Sequence, residues 1–392
     1  MDSQVSPVGQ KYKSKRKSSR FGCRNCKLRK LKCDETRPYC SRCRTYGVYC
    51  NFGFNVSDLQ PVHQKQTKEE VVSLFDVPRP RSIISNAIWV DDGLTYFTLD
   101  PKDQMLFNRF RYLTIHSLGG SEMVHIWESH MLQACFNCPF LMHGTLAVAA
   151  VHERYFEMAP TYRRSLRESY HVSQFITLFS KRLSQPIREE HKDTLWAAAG
   201  TVAILTFSAF TASSPDEAWP LGAPDASDLD WLRLGVGKMK LWQLLNPLRP
   251  ESVHRIIFES IVKLYESVPT RGTNGVLVEL VQLCGLDQSS TPENNPFFTV
   301  AHGLSQLLEA PKGRVSLDSI MKVWNLMNNR FVVLLEMKDP AALLLLYLWY
   351  TRARESGWWI SIRAKYEIPA IRTYLETYHG DNSVLQALIQ SL

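Results

Sequence analysis

The stretch from Cys23 to Cys50 reads CRNCKLRKLKCDETRPYCSRCRTYGVYC. Its cysteines, Cys23, Cys26, Cys33, Cys40, Cys43 and Cys50, repeat one half-motif, Cys-x2-Cys-x6-Cys, twice in succession. A two-residue gap lets both sulfurs of a pair reach one metal ion from a single tight turn. A third cysteine, one short helix later, returns to the same ion. Two separate tetrahedral zinc sites want four ligands each. Six thiolates serve both ions only when two of them bridge, so the doubled half-motif implies one compact binuclear cluster. Six thiolates and two Zn²⁺ leave that core at about −2.

The residues around this core are strongly positive. Arg24, Lys27, Arg29, Lys30 and Lys32 lie between Cys23 and Cys33, whereas the span from Cys40 to Cys50 carries only Arg42 and Arg44. The halves match in spacing and differ in charge, which makes the first half the face toward a polyanion.

This stretch closely resembles the fungal binuclear zinc cluster of DNA-binding transcription regulators. The six cysteines, the basic run KLRKLK before Cys33, and Pro38 two residues before Cys40 all fall in that pattern. The resemblance implies that Cys23 and Cys40 bridge. One zinc would take Cys23, Cys26, Cys33 and Cys40, and the other Cys23, Cys40, Cys43 and Cys50. It implies that Lys30, with Arg29 beside it, holds the base-reading position at the end of the first short helix. Members of the family read a CGG triplet in the major groove, which suits an ammonium offered to guanine O6 and N7. By the same resemblance Pro38 shapes the loop joining the halves, often through a cis bond.

At 392 residues the chain exceeds one ordinary domain. Its net charge of +8 is unevenly placed, with +11 in residues 1–55 and −3 in the remainder. A basic head on a mildly acidic body points to nucleic-acid contact at one end. No apolar segment follows the first methionine, which implies a reducing compartment, where cysteines at this spacing bind metal rather than pair. No run reaches the ~18 apolar residues of a membrane span.

Taken in order, residues 1–20 are polar and basic and read as a disordered tail. Within it Lys13, Lys15, Arg16 and Lys17 read as a nuclear-import signal, with a solvated tail as the bland alternative. Residues 21–53 are the cluster module, too small to fold without metal. Residues 54–95 read as a linker punctuated by Pro61, Pro78 and Pro80. Many family members dimerise through a coiled coil here, but the apolar residues Val62, Val71, Val72, Leu74, Phe75 and Val77 show no heptad. Monomeric binding, or a homodimer formed through the later domain, stays open.

From residue 96 onward helical periodicity alternates with short Pro- or Gly-containing breaks. It predicts helices over 103–118, 121–134, 139–157, 162–183, 189–212, 229–245, 251–266, 273–284, 297–309, 317–336, 340–355, 358–377 and 383–391. The fold class expected is mostly α: a small two-zinc, six-cysteine module, a linker, and one large all-helical domain over 96–392. That body resembles the fungal-specific regulatory domain, on CPFLMHGTLAVAAVHERYF at 138–156, WLRLGVG at 231–237 and DPAALLLLYLWYTRARESGWW at 339–359. It looks most like the branch with sterol-responsive regulators, which implies a small apolar effector and contact with the transcription machinery.

Other candidate chemistry is thin. Cys135 and Cys138 form a second Cys-x2-Cys, with His130 and His143 as the only neighbours, and read as buried thiols, as does Cys284. His116, His125, His152, His171, His191, His254, His302 and His379 are scattered singly and read as structural. Trp349, Tyr350, Trp358 and Trp359 read as core, with pocket lining as the alternative. GTLAVAA at 144–150 reads as close helix packing. No phosphate loop, dinucleotide fingerprint or nucleophile elbow appears, so an enzyme with a DNA-binding head has no motif behind it.

The function expected is a sequence-specific, double-stranded-DNA-binding regulator of RNA polymerase II genes, acting in the nucleus. The rival is a zinc-dependent protein-interaction module, which wants eight ligands and usually a histidine. The first histidine here is His63, beyond the cluster.

Overall fold

A computed structural model describes residues 19, 21–36, 40–46, 48, 50–52, 59, 87–89, 96–156, 164–311 and 315–390. The chain divides into two compact units, Met1–Pro78 and Arg79–Leu392. The basic residues read as a nuclear-import signal, Pro38, and most of the linker lie outside the described residues.

The first unit is built on α1 (Arg24–Leu28) and α2 (Ser41–Tyr46). Its small core is the six cysteines with Val48, and Phe52 packs against it.

The second unit opens with a short antiparallel pair, β1 (Ala87–Trp89) and β2 (Tyr96–Thr98), in the register Ala87 to Thr98. Aromatic and β-branched side chains suit a pleated ribbon. β1 falls inside the stretch read as linker. The helices follow: α3 (Pro101–Arg109), α4 (Ser121–Ile126), α5 (Leu132–Ala134), α6 (Pro139–Phe156), α7 (Leu166–Leu183), α8 (Lys192–Phe207), α9 (Asp230–Leu245) and α10 (Arg255–Glu266). Then come α11 (Val278–Leu283), α12 (Phe298–Glu309), α13 (Leu317–Leu326), α14 (Asn329–Glu336), α15 (Pro340–Ala353), α16 (Trp358–Tyr378) and α17 (Ser383–Gln390). The protein is mostly α, as its periodicity predicts.

The helices α6, α8 and α15 are apolar nearly all round, which marks inner helices. α7 and α8 pack on α6, α9 on α8, and α16 on α15. Gly144 permits a close approach of α6 to α7 and α8. A β-carbon there would meet Thr201 Cγ2 at 3.0 Å and the Phe175 ring at 3.1 Å, so the small residue is dictated by packing.

Starts are set by side-chain caps. Asp100 accepts from the Asp103 N–H at 2.8 Å with Pro101 next, and Ser165 accepts from the Glu168 N–H at 3.0 Å. One expectation needs correcting: 317–336 is two helices. Asn328 accepts from the N–H groups of Arg330 and Phe331 at 3.0 and 3.2 Å and so starts α14. The apolar period runs on through this break, which is why periodicity alone merged the pair.

Trp349 and Tyr350 are fully buried, and Trp358 and Trp359 nearly so. Phe207, Trp231, Trp324, Trp349, Tyr350 and Trp359 meet edge-to-face, tilted or, for Trp231 and Trp349, stacked, so the aromatic group is core. Beneath it Glu367 accepts from Tyr350 OH and Arg363 Nη1, both at 2.6 Å, which compensates a buried charge. Among the described residues no helix is long and apolar enough to cross a membrane.

Candidate metal centre and nucleic-acid interface

The Cys-x2-Cys spacing closes the first turn of each short helix onto its own sulfur. Cys23 Sγ accepts from the Cys26 N–H at 3.4 Å, and Cys40 Sγ accepts from the Cys43 N–H at 3.3 Å. Cys33 Sγ accepts from the Glu35 N–H, and Cys50 Sγ from the Cys40 N–H, each at 3.4 Å. Such bonds favour the anionic form of a sulfur.

All six sulfurs are buried together. Cys23 and Cys40 lie 3.6 Å apart, Cys23 lies 3.5 Å from Cys43, and Cys40 lies 3.6 Å from Cys26. Sulfurs bound tetrahedrally to one zinc at ~2.3 Å stand about 3.8 Å apart, so this spacing fits a thiolate-held metal. Cys33 approaches Cys40, and Cys50 Sγ accepts from the Cys40 N–H. Cys23 and Cys40 are thus the two central sulfurs, each in touch with both halves.

Electrostatics call for a cation. Burial first, then the neighbouring Cys23 and Cys40 sulfurs, push the Cys26 and Cys43 thiols far above their usual range. The Cys50 thiol is pushed up to about 12, again chiefly by burial. Packed thiolates repel one another and a divalent cation removes that cost, so the donor set fits zinc.

The basic residues sit on and after α1. Arg24, Lys27, Lys30 and Lys32 are exposed and Arg29 is half-buried. Arg29 Nη1 donates to the Arg42 carbonyl at 3.4 Å, bracing one half against the other. The end of α1 is a Schellman turn: Leu31 N–H donates to Cys26 O at 3.0 Å, and Lys30 N–H to Lys27 O at 3.1 Å. The residue after the cap is Lys30, at φ +51°, a place that favours glycine. In the second half Val48 N–H donates to Cys43 O at 3.1 Å, and the repeated spacing aligns Lys30 with Gly47. A side chain at Lys30 is therefore not what the turn itself prefers.

Several supporting contacts left no trace in the spacing. Asp34 Oδ2 accepts from the Ser41 N–H at 2.9 Å and starts α2; the Ser41 hydrogen bonds hold its carboxyl below the usual range. Ser19 Oγ accepts from the Cys33 N–H at 2.9 Å. Asn25, fully buried, pairs with Asn51.

In the helical unit the second Cys-x2-Cys is buried, and Cys135 Sγ contacts Thr145 Oγ1 at 3.4 Å. His143 is not isolated: its Nδ1 meets His171 Nδ1 at 2.9 Å, and His171 Nε2 meets Asp103 Oδ1 at 3.0 Å. Arg167 also bonds Asp103. His152 Nδ1 meets Thr114 Oγ1 at 2.8 Å. Partners this distant in sequence carry no local pattern, so the histidines read as single.

Comparison with known proteins places the site in a class. The profile of the fungal Zn(2)-Cys(6) binuclear cluster domain matches residues 21–55. A Zn(2)-C6 fungal-type transcription factor of Gibberella zeae is 22% identical over 92% of this chain and 82% of its own length. The Zn(2)-C6 fungal-type transcription factor afumD of Aspergillus fumigatus is 25% identical over 35% of this chain and 33% of its own. The lysine biosynthesis regulatory protein LYS14 of Saccharomyces cerevisiae is 49% identical over 10% of this chain and 5% of its own. Residues 21–55 are a fungal binuclear zinc cluster domain, which binds two zinc ions. The chain thus carries the cluster domain of fungal zinc-cluster transcription regulators, and its likeness over most of its length is to such a transcription factor.

Proposed function

We propose that the protein is a sequence-specific regulator of RNA polymerase II genes that works in the nucleus. Cys23 and Cys40 bridge two zinc ions; Cys26 and Cys33 complete one site, Cys43 and Cys50 the other. The observation that carries this is the contact of the Cys23 and Cys40 sulfurs with each other and with cysteines of the opposite half: Cys43 beside Cys23, and Cys26 and Cys33 beside Cys40. Lys30 reads a CGG-like triplet in the major groove. Its support is an exposed ammonium on a left-handed turn where glycine would fold more easily. Arg24, Lys27 and Lys32 contact phosphates and supply the salt-dependent part of affinity. Arg29 contributes charge while bracing the halves. Lys13, Lys15, Arg16 and Lys17 direct nuclear import. Residues 1–20 are the tail, 21–53 the reading head, 54–95 the linker and 96–392 the regulatory domain that engages the transcription machinery.

Selection of bound duplexes from a random pool by the zinc-loaded chain tests the reading. Enrichment of a CGG-like triplet that disappears with chelator is expected. Binding without zinc, or without base preference, would overturn it.

A further inference from the structure

Asn25 lies in the first turn of α1, between Cys23 and Cys26, and is completely buried. Its side-chain oxygen accepts from Asn51 Nδ2 at 3.1 Å and from the Leu59 backbone N–H at 2.9 Å. An amide oxygen has two lone pairs, and both are used. The Asn25 backbone N–H donates to Asn51 Oδ1 at 2.9 Å, so the two asparagines are bonded in both directions. Leu59 is held at φ +55°, a conformation leucine keeps only when its surroundings over-determine it. A buried amide oxygen with both lone pairs used and a strained backbone at its partner are independent observations of one contact.

We infer that Asn25 is a positioning residue: it clasps the chain leaving the cluster to α1, so that the reading helix and the start of the linker turn as one piece. The inference rests on the proposal that α1 faces DNA. It deepens that proposal, because Leu59 is then held at a fixed place relative to α1.

The test uses the zinc-loaded full chain and reads three quantities: zinc content, amide hydrogen exchange at Leu59, and the footprint on a CGG duplex. In Asn25→Ala, zinc stays at two ions per chain and exchange at Leu59 speeds up roughly tenfold or more. Protection of the triplet stays. Asn51→Ser removes only the second partner of the Asn25 oxygen and leaves the Leu59 bond in place, so exchange at Leu59 rises less, and the double variant matches Asn25→Ala. Leu59→Gly, which keeps the N–H and tolerates the backbone, retains slow exchange. Unchanged exchange at Leu59 in Asn25→Ala overturns the inference. So does loss of zinc and triplet together in both variants, which would make the asparagines part of the cluster fold. Should the unaltered chain show no zinc-dependent footprint, the DNA reading fails, and the exchange measurement alone still decides the clasp.

Discussion

Replacing Lys30 by glycine separates what this position does for the fold from what it does for DNA. Lys30 sits at φ +51° after α1, where a residue with a β-carbon pays about 1–2 kcal/mol relative to the right-handed region. Glycine removes that strain and adds about 0.4–1 kcal/mol of unfolded-state entropy to overcome. The net effect on the zinc-loaded fold lies between about zero and about +1.5 kcal/mol. Losing the ammonium removes a base contact, which costs about 1–3 kcal/mol on the specific duplex, or roughly 5- to 150-fold in affinity. The variant should therefore hold zinc at least as well as the unaltered protein and bind its site far less well. Lys30→Ala should lose the same affinity without the gain in stability. Competition with a zinc chelator reads the first quantity, and titration of specific and random duplexes reads the second. Weaker zinc retention in Lys30→Gly would refute the strain argument. Equal losses on both duplexes would show that Lys30 touches phosphate and reads nothing.

Three further outcomes are expected. Chelation should abolish the ordered structure of the cluster module while the helical circular dichroism of the second unit persists, since only the first core is built on cysteine sulfur. Gly144→Val should lower the melting temperature of this large unit by roughly 1–4 °C, because its β-carbon overpacks Thr201 and Phe175 by more than the regained helix propensity offsets. His143 and His152 are buried, and burial above all pulls each down from 6.5 to about 4. The unfolded chain takes up protons below pH 6.5 that these folded imidazoles refuse. Stability of the helical unit is thus full above about pH 6.5 and falls toward pH 4, by up to roughly 3 kcal/mol per histidine. Denaturant unfolding across that window checks it; His152→Gln, if it leaves the unit folded, should flatten part of the slope.

The amino-acid sequence by itself determined the cluster and the helices. A metal site made of Cys-x2-Cys turns is local, each pair closing within one helical turn, so its spacing is visible in the string. Helical periodicity is local for the same reason, and nearly every element of the second unit lies where it predicts. The tertiary structure alone decided what depends on partners far apart in sequence. The fold brings Asn25 to Leu59 across 34 residues, His171 to Asp103 across 68, and Trp358 to Ser117 across 241. It also decided that Trp349 and its aromatic neighbours fill the core, and that Asn328 divides one apolar run into two helices. Side-chain type sets what a residue can bond, but only chain folding sets which donor arrives, and no period in the sequence encodes that arrival.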